Sequence, residues 1–224
     1  MQREIFAGWK RPPELLSNGE GDNTVLPVMS VSGKTDLVQD ALTDCSVVAS
    51  LCAITSRAER GHAKHRFLPV TYPHEGELAK PRLSPSGKYV FSFYFNGCFR
   101  KVAIDSRLPS TKTSRSLHVI DRNNRNLLWP ALVEKAYLKV RGGYDFPGSN
   151  SGTDLWVLTG WIPEQVFLHR EDVSCDQICK RLSKAFYYGD VLLTVGTGKL
   201  TETEQKGLGL VSEHDYAILD MKES

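Results

Sequence analysis

The sequence predicts an α+β fold, with a helical first part that carries a small hairpin and a second part richer in strand. Three observations predict it. Residues 45–54 are apolar nearly all round, as a buried helix is. Two β-rich runs flank Asn96-Gly97, the dipeptide that most favours a tight hairpin turn. Beyond Pro147-Gly148 a helical segment is followed by strand-like runs at 190–195 and 216–221. The 224 residues suffice for one large domain or two small ones.

In chain order, residues 1–35 are rich in Pro, Gly, Ser and Asn and predict an extended lead-in with turns. A helix begins at Thr43-Asp44, side chains that suit an N-cap, and ends near Arg60-Gly61, where basic residues and then glycine suit a C-terminus. Residues 61–87 hold Pro69, Pro73, Pro81 and Pro85 and predict loop. The hairpin strands follow at 88–95 and 98–105, then a polar loop to residue 126. Leu128, Ala131, Leu132 and Tyr137 recur at helical spacing and predict a helix over 127–140, stopped by Gly142-Gly143. On this helix Glu134 and Lys135 read as surface charges, while Trp129, Trp156 and Trp161 read as core anchors. A further helix is predicted over 178–187. The Gly/Ser-rich stretch 147–152 is the expected junction, dividing the chain into domains 1–149 and 150–224.

Composition excludes several classes. Apolar residues make up 41% and charged residues 24%, so a disordered tail or a coiled coil does not fit. The net charge of +2 implies no nucleic-acid partner. Seven Lys/Arg against two Asp over 100–125, and three Lys against six Asp/Glu over 199–224, read as solvated surfaces. The longest mainly apolar run, 47–54, is too short to cross a bilayer. Five cysteines at irregular spacing, and no Asn in an N-x-[ST] pattern, lead us to expect a reducing, cytoplasmic setting.

Cys45 is the most pointed residue for chemistry. A thiol at a helix start faces the positive end of the helix dipole, which favours the nucleophilic thiolate. The alternative is a small buried residue like Cys52. A cysteine nucleophile also needs a base. His62, His65 and His74 follow Cys45 closely, His118 lies in a basic loop, and His169 follows an apolar run. His214 precedes a predicted strand in the other putative domain, so thiol on a helix and imidazole on a strand would face each other across a cleft, a papain-like arrangement. Competing motifs fail on spacing. Ser151 is one place off a nucleophile elbow, and Gly198-Lys199 lacks the remainder of a phosphate loop. Cys175 and Cys179 have no second ligand pair nearby and read as helix thiols.

Several segments resemble the calpain-like cysteine proteases, specifically the calpain-7 and fungal PalB branch. They are Gly8-Trp9-Lys10-Arg11-Pro12, Gln39 to Ser46, Leu128 to Tyr137, Gly142 to Ser151, Leu158 to Glu164 and Gly209 to Ala217. Most calpains carry Trp after the cysteine; Ser46 agrees with the calpain-7 branch. The resemblance implies a papain-like calpain protease core. It also implies a role for each site residue. Cys45 would be the nucleophile, and His214 the general base and then the acid. Gln39 would donate its amide to the oxyanion, with Gly148 and Gly209 bordering the substrate cleft.

The resemblance further implies limited proteolysis of protein substrates, in pH-response or endosomal signalling, with endosomal sorting proteins as partners and recruitment to endosomal membranes. No cofactor is expected: the family includes calcium-dependent members, but no acidic loop cluster here indicates calcium. Two departures stand out. Asp215 follows His214 where Ala is usual, and by strand alternation it points away from the face of His214. The family's third residue, an Asn, lies well beyond the histidine, whereas this sequence ends ten residues after His214 with no Asn past Asn150. The expectation is therefore a truncated core, and the competing reading is a calpain-like binding or scaffold protein that no longer cleaves.

Overall fold

A computed structural model describes residues 2–16, 26–30, 34–62, 69–75, 80–113 and 115–222. His65 and parts of the predicted lead-in, 17–25 and 31–33, lie outside them. The chain opens with helix α1 (Gln2–Ile5), strand β1 (Phe6–Lys10), helix α2 (Pro12–Leu16), strand β2 (Leu37–Val38) and the long helix α3 (Cys45–Glu59). Strands follow as β3 (Val70–Tyr72), β4 (His74–Glu75), β5 (Lys80–Pro81), β6 (Lys88–Phe95), β7 (Cys98–Asp105), β8 (Leu108–Thr111) and β9 (Ile120–Asp121). Then come α4 (Trp129–Val140), α5 (Ser151–Thr159), α6 (Cys175–Tyr188), β10 (Thr194–Gly196), α7 (Glu202–Leu208) and β11 (Asp215–Ala217).

Helix α3 is the central post. Val47, Val48, Ala49, Leu51, Ala53 and Ile54 are all buried, so apolar residues on every side find partners. Two of its buried hydroxyls are satisfied within the helix: Ser50 donates to the Ser46 carbonyl at 2.7 Å and Thr55 to the Leu51 carbonyl at 2.9 Å. Around the post pack α4, α5, β2, β10 and β11.

The predicted hairpin forms with the predicted bounds. All eight pairs from Lys88↔Asp105 to Phe95↔Cys98 are in register. Asn96 and Gly97 take φ of 52° and 79°, the left-handed pair that a two-residue hairpin turn requires. Tyr89, Phe91 and Phe93 alternate onto the buried face of β6, where Phe93 meets Tyr137 of α4 edge-to-face at 6.1 Å.

Elsewhere the structure differs from the sequence reading. The lead-in is not all extended coil: β1 pairs with β8, and Trp9 packs edge-to-face on Tyr144 at 5.4 Å. That pairing joins residues about a hundred positions apart, so no local signal announces it. The stretch read as a junction starts helix α5, because the Asn150 side chain accepts the backbone N–H groups of Gly152 and Thr153. The predicted strands 190–195 and 216–221 shrink to the short antiparallel pair β10–β11, and α7 is an additional element with a capping box between Thr201 and Glu204.

The hydrophobic core runs from Met29 to Leu158 and includes Leu155, Val157 and Leu158 of α5. Beyond it, Phe186 is the one fully buried hydrophobic among the described residues. Trp129 is a core residue, but Trp156 is 38% exposed, and Trp161 is only partly buried beneath the Arg57 guanidinium. None of the described helices is long and apolar enough to cross a membrane.

Candidate active site

Cys45 is the first residue of α3 and is half-buried. The loop before it is fastened from outside the helix. Thr43 donates its hydroxyl to the Phe146 carbonyl at 2.7 Å. Gly148 has φ 107°, and a Cβ there would stand 3.4 Å from the Thr43 carbonyl oxygen. Glycine at 148 therefore serves the backbone conformation of the turn that packs against the loop before Cys45.

The sulfur faces β11. Helix α3 packs against β11, and both the backbone N–H and the carboxyl of Asp215 act on the Cys45 thiol. Burial pushes the Cys45 thiol up; the N–H groups of Asp215 and Ser46 oppose this, and the Asp215 and Asp44 charges add to it. The helix start that should favour thiolate is thus outweighed here by burial and two carboxyl groups. No hydrogen bond joins Cys45 to the His214 imidazole among the described residues.

His214 sits immediately before β11, locked by Thr197. Its N–H donates to Thr197 Oγ1 at 3.0 Å, and its carbonyl accepts the Thr197 N–H at 2.9 Å. Its ring packs edge-to-face on Tyr216, two residues along, with centroids 4.8 Å apart. Asp215 points the other way, as strand alternation requires, and accepts a hydrogen bond from Ser151 at 3.4 Å. The structure therefore brings the His214 segment to Cys45, through the Asp215 backbone, without joining ring to thiol.

Gln39 lies beside the same helix start. Its amide donates to the Leu42 carbonyl and, at 3.2 Å, to Asp44 Oδ1. Gly209 is the left-handed C-cap of α7 with φ 67°, and a Cβ there would meet nothing within 4 Å. Its conformation accounts for the glycine.

Beneath Cys45 lies a group that the sequence reading missed. Asp44 does not cap α3 with its side chain. It turns inward, 1% exposed, where it interacts with the carboxyl of Glu134. Glu134 is likewise 1% exposed, which corrects its reading as a surface charge. Both its oxygens accept the Val119 N–H at 3.0 Å. Burial, then the Asp44 charge, raises the Glu134 carboxyl well above its ordinary range. Asp154, fully buried, accepts the Tyr137 hydroxyl, and its carboxyl is also raised by burial. The signal was available: Glu134 falls three residues after Ala131 and four before Leu138, on the apolar stripe of α4. Lys135, on the neighbouring face, reaches the Asp105 carboxylate.

Among the described residues no group of three or more His, Cys, Asp or Glu side chains is disposed to hold a metal ion. Cys175 and Cys179 are free and exposed on α6.

Comparison with known proteins extends this picture. The profile of the calpain family cysteine proteases matches residues 2–224. The chain is 74% identical over 225 residues to the calpain-like protease palB/RIM13 of Aspergillus oryzae, covering 100% of this chain and 26% of that protein. It is 51% identical over 221 residues to palB/cpr-8 of Neurospora crassa, covering 99% and 24%. It is 42% identical over 224 residues to calpain-7 of Homo sapiens, covering 99% and 26%. The chain spans about a quarter of the length of the curated relatives it matches.

Proposed function

The chain belongs to the calpain family of cysteine proteases, and from that premise we propose that it supplies the reactive core of an endopeptidase that cuts protein substrates through Cys45. The observation that carries the reading is the convergence at one helix start. The Cys45 sulfur, the Gln39 amide, the Gly148 turn and the strand following His214 meet there. In this reading residues 1–149 and 150–224 are the two sides of a papain-like cleft.

The chemistry follows from the groups present. His214 takes the Cys45 proton, and the thiolate attacks the scissile carbonyl carbon. The C=O electrons move onto oxygen, where the Gln39 amide and the Cys45 N–H receive the negative charge. Collapse breaks the C–N bond, and the imidazolium returns its proton to the departing amine. Water then hydrolyses the thioester. Gly148 and Gly209 border the cleft, where small residues let a peptide backbone approach. The step requires the His214 ring to leave Tyr216 and the Gln39 amide to release Leu42. Catalytic hydrogen bonds often tighten only when substrate binds.

The test is digestion of an unstructured protein by the purified chain. Discrete cleavage products are expected, and Cys45→Ser removes them; cleavage that survives Cys45→Ser contradicts the reading. Gln39→Ala is expected to lower kcat by about 10²- to 10³-fold with KM little changed, as loss of one oxyanion donor does. A raised KM with kcat unchanged would assign Gln39 to binding instead.

The wider setting belongs to the same proposal and rests on the resemblance to the PalB and calpain-7 branch. It comprises limited proteolysis in pH-response or endosomal signalling, endosomal sorting proteins as partners, and a cytoplasmic location with recruitment to endosomal membranes. The five free cysteines suit a reducing compartment. A second reading, a calpain-like protein that binds without cleaving, is favoured by one observation: the His214 ring faces Tyr216 while carboxyl groups face the thiol. No cleavage under any condition, with substrate binding retained, would select it.

A further inference from the structure

Two thiols on α6 lie outside the chemistry above. This helix is held at its far end: the Phe186 carbonyl accepts Arg60 Nη1 at 3.0 Å, and the Gly189 carbonyl accepts Arg57 Nε at 2.6 Å. Its start is open to solvent. Cys175, Asp176, Gln177 and Cys179 are all exposed, and both cysteines are free. Cys175 is the first helical residue and Cys179 stands four places on. Residues four apart share one helix face, with their Cβ atoms about 5–6 Å from each other.

That spacing decides what the two sulfurs can do together. A disulfide needs its Cβ atoms about 3.5–4.5 Å apart, so a direct S–S bond would distort the first turn of α6. One atom placed between the sulfurs removes the mismatch, because each side chain then reaches only part of the way. Cys175 is free to turn toward that point. No helical turn precedes it to restrict its χ1. Its contact with the Leu168 carbonyl, at 4.0 Å, is a weak one.

We propose that Cys175 and Cys179 form a two-sulfur site for a soft, low-coordinate metal ion of the cuprous class. Thiolate ligands select soft ions of this kind, and calcium and magnesium require oxygen ligands instead. A structural zinc ion needs four ligands, whereas among the described residues no group of three or more His, Cys, Asp or Glu side chains is disposed to hold a metal. Binding involves no change of oxidation state. Each thiol gives its proton to solvent, each sulfur donates an electron pair to the ion, and the two thiolates with one cuprous ion carry a single net negative charge.

Cuprous ion itself is the probe. The reduced, purified chain competes without oxygen against the coloured chelator bathocuproine disulfonate, and the copper withdrawn is read from the loss of colour. One equivalent per chain is expected. Cys175→Ser and Cys179→Ser each weaken retention by about 10²-fold, the scale on which a second tethered contact adds to the first. Cys98→Ser leaves retention unchanged. The double variant Cys179→Ser/Lys180→Cys restores the number of thiols but turns one of them about 100° around the helix, and it stays as weak as Cys179→Ser. All four positions are exposed, so none of these variants removes a core contact.

No copper withdrawn by the native sequence would overturn the proposal. So would full retention in either single variant at the pair, loss in Cys98→Ser, or recovery in the double variant. The site stands apart from the protease reading. Copper held by a chain that never cleaves protein leaves the site in place, and cleavage by a chain that holds no copper removes only the site.

Discussion

His214→Ala lowers kcat for protein cleavage by about 10⁴-fold, the scale on which removal of the base disables a nucleophile–base pair. The reason is specific to this site. Cys45 is half-buried with two carboxyl groups for neighbours, so its thiol sits above its ordinary range and little thiolate forms unaided. Without the imidazole nothing nearby accepts its proton at neutral pH. The loss is expected in kcat, with KM changed far less, because in the proposed step the ring acts on the reacting atoms and not on the remainder of the substrate. Steady-state kinetics on the purified chain read this directly. A tenfold loss or less would mean that another group, Asp215 foremost, takes the proton.

The second large effect is on stability. Glu134→Ala costs about 3 kcal/mol or more, because it leaves the Val119 N–H buried without an acceptor and strands the Asp44 carboxyl. It also opens a hole in a well-packed helix face. Glu134→Gln keeps an acceptor for Val119 and a donor for Asp44, and costs far less. The two variants differ in pH behaviour as well. The Glu134 carboxyl is raised in the folded chain, so its contribution is fully present below the ordinary glutamate pKa and is lost as pH rises through the shifted value. Urea unfolding at several pH values shows stability falling with rising pH in the native sequence and a shallower fall in Glu134→Gln. A Glu134→Ala cost near zero would contradict the buried-pair description.

Local patterns carried much of the fold. The hairpin could be placed from Asn96-Gly97 and flanking alternation, and α3 from its apolar run, because both signals are local and agree with the tertiary environment. Strand β1 could not, since its partner β8 is supplied by distant sequence. Helix α5 was hidden by its own cap: Asn150 and Ser151 look like linker until the Asn150 side chain is seen closing the helix start. At the candidate site, Cys45 at a helix start and His214 before a strand were legible through residue type and spacing, whereas Gln39 entered only through the family resemblance. The buried pair Asp44–Glu134 was harder to see, because acidic residues are ordinarily exposed and only the place of Glu134 on the apolar stripe of α4 signals its burial. The orientation of Asp215 followed from strand alternation, but not its Ser151 anchor, which needs α5 in place.

The central claim is that Cys45 is the nucleophile and that His214 activates it. The most direct measurement is competition among the five thiols for an epoxysuccinyl-peptide reagent at neutral pH, mapped by mass. The account predicts fast, selective modification of Cys45 that disappears in His214→Ala, although Cys98, Cys175 and Cys179 are more exposed. Slow labelling of the three exposed thiols, with Cys45 left behind and His214→Ala without effect, would contradict it.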